Sequence, residues 1–166
     1  MLYEVVERPE EDKNSDERYG MQRLWRSKTH TDWVSKVKYI PEMNVVVSAS
    51  LDRTIAVCDM DTGQEMRRLM GHTKGIFCLD WSQNQKFLAT GGMDRTVMIW
   101  NPYSNKSMAA MPGHNATICS ILVNEAENQV VSLSVDKTVK VWDIRNHRCL
   151  QTFIDATKYR WVPRAS

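Results

Sequence analysis

Excess charge of either sign is missing from this chain: its 166 residues carry 22 Lys+Arg against 20 Asp+Glu, a formal +2. Non-specific binding to nucleic acid runs on clustered positive charge, so the balance argues against it. Long apolar runs are missing too, and none approaches the ~20 residues that cross a bilayer as a helix. The opening Met1-Leu2-Tyr3-Glu4-Val5-Val6 passes straight into Glu7-Arg8-Pro9-Glu10-Glu11-Asp12, with neither the basic start nor the apolar stretch of a signal peptide. The expectation is a soluble chain that makes no membrane contact. Closely spaced cysteines are also absent. Cys58, Cys78, Cys119 and Cys149 stand 20, 41 and 30 residues apart, and a chain of this length needs no disulfide staple. They read as reduced, buried thiols of an intracellular, cytoplasmic protein. The sequons Asn105-Lys106-Ser107 and Asn115-Ala116-Thr117 then carry no meaning. What is present is enough apolar surface for a core: 42% hydrophobic residues against 25% charged, unlike a disordered chain.

One period governs most of the chain. His30, His72 and His114 are 42 residues apart in both intervals, and so are Asp52, Asp94 and Asp136. Ser48, Thr90 and Ser132 keep the same spacing, as do Cys58, Trp100 and Trp142. Four independent residue classes in one register divide the chain into residues 1–29, repeats 30–71, 72–113 and 114–155, and a tail 156–166. Within a repeat the pattern is strand-like. Runs such as Val45-Val46-Val47 and Phe87-Leu88-Ala89 lead through Asp-Arg-Thr or Asp-Lys-Thr into Thr96-Val97-Met98-Ile99-Trp100 and Thr138-Val139-Lys140-Val141-Trp142. Upstream and downstream runs complete four short strands per period, and no segment has helical periodicity.

Gly71-His72 and Gly113-His114 open repeats that close with Trp100-Asn101 and Trp142-Asp143. A four-stranded unit of ~40–45 residues with this signature resembles the WD40 family of β-propellers. The phrase Arg95-Thr96-Val97-Met98-Ile99-Trp100-Asn101-Pro102-Tyr103 is similar to a branch associated with cilia, which adds the cilium or axoneme as a location. The implied fold class is all-β: a WD40-like propeller arc of about three four-stranded blades in an incomplete ring. The first repeat departs from the pattern, with Thr29-His30 for Gly-His and Cys58-Asp59 for Trp-Asp, so its blade is expected to be less well braced. Residues 21–29 read as the outer strand of a preceding blade, and 156–166 as the start of a truncated fourth repeat with Ala156 at the His position. Family rings typically hold seven blades, so the chain reads as a fragment or isoform of a larger WD-repeat protein. Residues 1–20 read as an acidic, solvated loop, since 1–17 carry seven acidic and two basic side chains.

Each repeat holds a His, a Ser/Thr and an Asp: His30, Ser48, Asp52; His72, Thr90, Asp94; His114, Ser132, Asp136. Once, such a trio would suggest a hydrolase. Three times over, it suggests scaffolding, and the resemblance implies a buried network joining Trp indole, hydroxyl, imidazole and carboxylate. Cys58 lacks the indole of Trp100 and Trp142, so the first network is short of one end. Asp61-Thr62-Gly63 spells an aspartic-protease signature but has no second copy to face it, and reads as a turn. His147 and Cys149 have no second pair at ligand spacing, and Gly91-Gly92 lacks the Lys of a phosphate loop. No metal, cofactor or catalytic residue is expected. Repeats 30–155 balance 13 acidic against 13 basic residues, which disfavours a nucleic-acid-binding propeller. The expected role is a non-catalytic scaffold for a protein or peptide partner. Carried over from the family's docking face, the contact positions are Thr31, Trp33 and Leu51; Thr73, Gly75 and Met93; Asn115, Thr117 and Val135. Apolar residues at Trp33, Leu51, Met93 and Val135 read either as binding anchors or, for some of them, as packing against neighbouring blades. An incomplete ring is also expected to self-associate, to aggregate, or to be stable only beside the rest of its ring.

Overall fold

The computed structural model describes residues 2–7 and 19–154. Strand β1 (Leu2–Glu7) pairs antiparallel with β2 (Tyr19–Trp25) in a two-stranded sheet. The reading of 1–20 as a solvated loop is therefore corrected for residues 2–7 and 19–20. Leu2, Tyr3, Val5 and Val6 favour extended backbone, and the acidic count over the whole segment hid them. The truncated fourth repeat and Asp155 lie outside the described residues, as do residues 8–18.

Three four-stranded antiparallel sheets follow, one per 42-residue period. The first blade holds β3 (Val34–Ile40), β4 (Val45–Ser50), β5 (Thr54–Asp59) and β6 (Glu65–Met70). The second holds β7 (Ile76–Ser82), β8 (Phe87–Gly92), β9 (Thr96–Trp100) and β10 (Ser107–Pro112). The third holds β11 (Ile118–Asn124), β12 (Gln129–Ser134), β13 (Thr138–Asp143) and β14 (Arg148–Ile154). In each blade neighbouring strands pair in chain order, and each innermost strand carries an irregularity at the same place: Val34/Lys36, Ile76/Cys78 and Ile118/Ser120.

Turn chemistry repeats as faithfully as the strands. Asn44, Lys86 and Asn128 take positive φ in the first-to-second turns, and Arg53, Arg95 and Lys137 do so in the second-to-third turns. A non-glycine residue in that region needs its neighbours to hold it there. In the second set, the preceding aspartate does the holding, as the hydrogen bonds below show.

Two apolar clusters lie between blades rather than within them. The first sets Val45, Val47, Ile55, Val57 and Leu69 of blade one against Ile76, Leu79, Trp81, Met98 and Trp100 of blade two. The second sets Phe87, Ala89, Val97, Ile99 and Met111 of blade two against Ile118, Ile121, Val130 and Trp142 of blade three. A strand's alternation sends one set of side chains to each sheet face, and in blade two both faces are apolar because each meets a neighbouring blade. That is why the strands read as continuous apolar runs. All four cysteines are free, but only Cys58 and Cys78 are buried. Cys119 is half-buried and Cys149, on β14, is exposed, so burial fails for these two.

Candidate functional site

Blade two shows the network in full. Trp100 Nε1–H donates to Thr90 Oγ1 at 2.7 Å. The Thr90 hydroxyl reaches His72 Nε2 at 2.8 Å, and His72 Nδ1 reaches Asp94 Oδ2 at 2.7 Å. The Asp94 carboxylate can only accept, so the imidazole proton sits on Nδ1, and the neutral Nε2 accepts the Thr90 hydroxyl proton. Asp94 also accepts the backbone N–H groups of Thr73 at 3.1 Å and Thr96 at 3.3 Å. The carboxylate thus ties the start of the repeat to the second-to-third turn and holds Arg95 at its positive φ.

Blade three uses the same residues with one relay inserted. Trp142 Nε1 donates to Ser132 Oγ at 2.8 Å, and Ser132 meets His114 Nε2 at 2.7 Å. His114 Nδ1 stands 3.9 Å from Asp136, too far to bond, and meets Thr138 Oγ1 at 3.0 Å instead. Thr138 passes the contact on to Asp136 Oδ1 at 2.5 Å.

Blade one lacks the indole. His30 still spans Ser48 at 2.8 Å and Asp52 at 2.9 Å, but nothing corresponds to the Trp donor. Its substitutions are matched. A Cβ on Gly71 would lie 2.9 Å from the Trp100 ring, and one on Gly113 would lie 3.1 Å from the Trp142 ring. The glycine before each histidine therefore leaves room for the indole tip. Where Cys58 replaces the indole, Thr29 occupies the glycine position, and the side chains of Ser27 and Thr29 stand beside the sulfur. Arg68 closes the same space, donating to the Thr29 carbonyl and pairing with Glu65.

Electrostatics follow the bonding. Burial works against the charged form of Asp52, but hydrogen bonds from Thr54, His30 and the Thr31 N–H outweigh it and bring its pKa down to about 2. Asp136 likewise falls to about 2: burial opposes the charge, and the Thr138 side chain and the Asn115 N–H overcome it. Asp94 is lowered as well, burial being outweighed by the His72 bond and charge and by the Thr73 N–H. Burial lowers His114, with Asp136 opposing. Burial pushes the Cys78 thiol up to about 12, far from a reactive thiolate. The Thr90 and Ser132 hydroxyls are 0% exposed and each also accepts an indole N–H, so neither is presented to a substrate as a nucleophile.

The other chemical-looking motifs are turns in the structure. The Asp59 carboxylate accepts the N–H groups of Asp61 and Thr62, with Gly63 at φ 68°. His147 sits at φ 57° in the turn before β14. No group of three or more His, Cys, Asp or Glu among the described residues could hold a metal ion. Gly91 and Gly92 are packing glycines: a Cβ on Gly92 would lie 2.2 Å from the Gly75 carbonyl oxygen.

The positions carried over as a docking face do meet at one end of the blades. Backbone bonds join Leu51 to Trp33 at 2.9 Å, Met93 to Gly75 at 2.9 Å and Val135 to Thr117 at 3.0 Å. Trp33 is 80% exposed, Val135 60% and Met93 44%. Thr31, Thr73 and Asn115 are exposed beside them, and Thr117 is half-buried. Two positions depart from the expectation. Gly75 is buried, and Leu51 is half-buried because its side chain lies against the Gly75 backbone of the next blade. Leu51 is thus a packing residue as much as an anchor.

At the opposite end a hollow of about 320 Å³, bordered by Tyr39, Pro41, Glu42, Trp81, Gln83 and Glu125, opens across the blade junctions. The indole N–H of Trp81 has no partner there. Sequence reasoning passed over these residues, although 41, 83 and 125 share one column of the 42-residue repeat. That column was the available signal.

Three radially packed four-stranded sheets, each locked by one histidine-centred network, define an arc of a β-propeller. The chain belongs to the WD40 family: the model for the WD domain, G-beta repeat, matches residues 21–59, 63–101 and 105–143. The second and third matched units start just before the outer strand of one sheet and end at the third strand of the next, so sequence repeat and blade are offset by one strand. Curated relatives match over one to two repeats. Coronin-7 of Rattus norvegicus is 38% identical over 60 residues, covering 36% of this chain and 6% of the relative. Mitogen-activated protein kinase kinase kinase A of Dictyostelium discoideum is 34% identical over 61 residues, 36% of this chain and 6% of that one. Mitochondrial division protein 1 of Aspergillus clavatus is 38% identical over 55 residues, 33% of this chain and 8% of the relative. The matched parts are therefore a small fraction of each of these proteins. Scaffolding of protein–protein interactions is the general role that comes with membership of the family.

Proposed function

We propose that this chain is a non-catalytic interaction module that captures a protein or peptide partner on the face bearing Trp33, Met93 and Val135. The carrying observation is their exposure, at 80%, 44% and 60%, in a row set by one repeated backbone bond per blade. Large exposed apolar side chains in a row supply the anchors that dominate binding free energy. The absence of catalysis is part of the proposal and is supported by the burial of the Thr90 and Ser132 hydroxyls beneath their indole donors. The balance of 13 acidic and 13 basic residues over 30–155 favours a protein partner over nucleic acid. Four unpaired thiols favour a reducing compartment such as the cytoplasm. The blade faces left open at either end of the arc favour a ring completed by blades beyond the three described.

The test is affinity capture from lysate, scored by mass spectrometry, comparing Trp33→Ala plus Met93→Ala with Lys86→Ala plus Glu127→Ala. Lys86 and Glu127 lie in first-to-second turns at the opposite end. Loss of the captured proteins with the first pair alone supports the reading. Unchanged capture with the first pair, and loss with the second, moves the interface to the other end.

A further inference from the structure

The face bearing Trp33, Met93 and Val135 also carries charge, and at its surface that charge is lopsided. Its turns hold Arg53, Lys74, Arg95 and Lys137 against Asp32, Asp52, Asp94 and Asp136. The aspartates of the second-to-third turns face inward: the side chains of Asp52, Asp94 and Asp136 are only 6%, 8% and 15% exposed. Each is taken up by two backbone N–H groups and by the histidine or threonine that braces its blade. The four cations are all exposed, and none has an ion-pair partner among the described residues. Asp32, also exposed, offsets the charge of Arg53 in blade one. Over blades two and three, Lys74, Arg95 and Lys137 are not offset.

The turn itself does not ask for these cations. Arg53, Arg95 and Lys137 sit at φ 74°, 65° and 66°, where glycine is free of strain and Asn or Asp is the next best choice. In the first-to-second turns the chain uses Asn at two of the three positive-φ positions, Asn44 and Asn128. In this column all three residues are basic. Each stands two residues beyond the apolar position of its turn, so Met93 is followed by Arg95 and Val135 by Lys137. Lys74 lies between the docking positions Thr73 and Gly75. Arg95 Nη1 donates to the carbonyl of Asn115 at 3.3 Å, which lays its guanidinium across the junction of blades two and three, on the docking face itself.

We infer that the partner is an acidic peptide segment, its Asp or Glu side chains meeting Lys74, Arg95 and Lys137 while interleaved apolar residues meet Trp33, Met93 and Val135. The inference rests on the docking reading above and names the chemistry of its partner. Charge complementarity of this kind steers association and selects among partners. One cation per turn, distributed over two blades, matches single carboxylates spaced along a chain. A phosphoryl dianion would instead call for several cations gathered at one point.

The test pans a random peptide library displayed on phage against the full chain, then titrates the enriched peptides by fluorescence polarisation. The enriched peptides are expected to carry net negative charge with apolar residues between the acidic ones. Their affinity is expected to drop about tenfold or more in Lys74→Gln plus Arg95→Gln plus Lys137→Gln, and to fall as salt is raised. Trp33→Ala plus Met93→Ala should weaken them as well. All five side chains are exposed, so the fold is expected to hold, and circular dichroism melts check it. Neutral or basic peptides that depend on Trp33 and Met93 alone would overturn the inference and leave the docking reading standing. Peptides indifferent to both variants would remove the docking reading itself. A library with no enriched peptide, or an oligothymidylate bound as tightly as the acidic peptides, would overturn the inference too.

Discussion

Blades one and two fold to the same four-stranded plan, yet they brace their first turn differently. In blade two the Trp100 indole donates to Thr90 and fills the space that Gly71 leaves empty. In blade one Cys58 leaves Ser48 without that donor, and Thr29, Ser27 and Arg68 take up the room. The difference shows that glycine and indole are one device. The glycine before the histidine is there to admit the ring tip, and when the ring goes, the constraint on that position goes too.

The largest expected effect of upsetting this comparison is Trp100→Cys, which copies blade one into blade two without its matched threonine. It removes a fully buried ring and the indole's hydrogen bond to Thr90, and large-to-small core changes of this kind cost ~3–5 kcal/mol. Cys58→Ala is expected to cost about 1 kcal/mol, because a small side chain leaves a small void. Urea melts of the two variants give the contrast directly. Gly71→Thr should come next, at about 1–3 kcal/mol, since the new Cβ meets the Trp100 ring at 2.9 Å. Asp94→Ala should cost about 1–3 kcal/mol by leaving the His72 and Thr73 donors unpaired, while Asp61→Ala in its exposed turn stays within about 0.5. Equal midpoints for these two aspartate variants would dismiss the networks as bracing.

Smallest is the response to pH. A carboxylate whose folded pKa lies below its unfolded value stabilises the fold above the unfolded value and ceases to do so as pH falls through the folded one. Asp52 and Asp136, lowered from 3.8 to about 2, therefore lose their contribution across that interval, with Asp94 acting in the same direction. His114, lowered from 6.5, works at milder acidity: the unfolded chain takes the proton first, so stability falls as pH drops below 6.5. Thermal midpoints measured from pH 8 to pH 2 should decline in these two stages. A midpoint that stays level down to pH 4 would contradict the assignment at His114.

The sequence made the architecture legible because a propeller writes its geometry into a fixed period. Four residue classes 42 apart locate each histidine, hydroxyl, carboxylate and indole, and the Thr29 and Cys58 departures stand in the same columns. Alignment in a column does not give rotamers, however. The Thr138 relay in blade three depends on a shift of His114 from Asp136 to 3.9 Å that no residue identity announces. Nor does a column tell an anchor from a wedge: Leu51 and Met93 occupy equivalent positions, but only Leu51 lies against a neighbouring glycine. Arg68 reaches Thr29 across 39 residues from a strand whose counterparts are Ala110 and Thr152, so the repeat offered no precedent for it. Strand β1 was obscured by acidic neighbours in sequence that do not belong to its strand.

The matched-pair account meets its most direct test in a double-mutant cycle in blade one, Thr29→Gly with Cys58→Trp, followed by urea unfolding. Cys58→Trp alone should destabilise, because Thr29 occupies the place of the ring tip, and Thr29→Gly alone should cost about 1 kcal/mol or less. Together they should restore stability to the wild-type value or above it, with a favourable interaction energy in the ~0.5–3 kcal/mol range seen for residues in contact. Simple additivity of the two costs would contradict it.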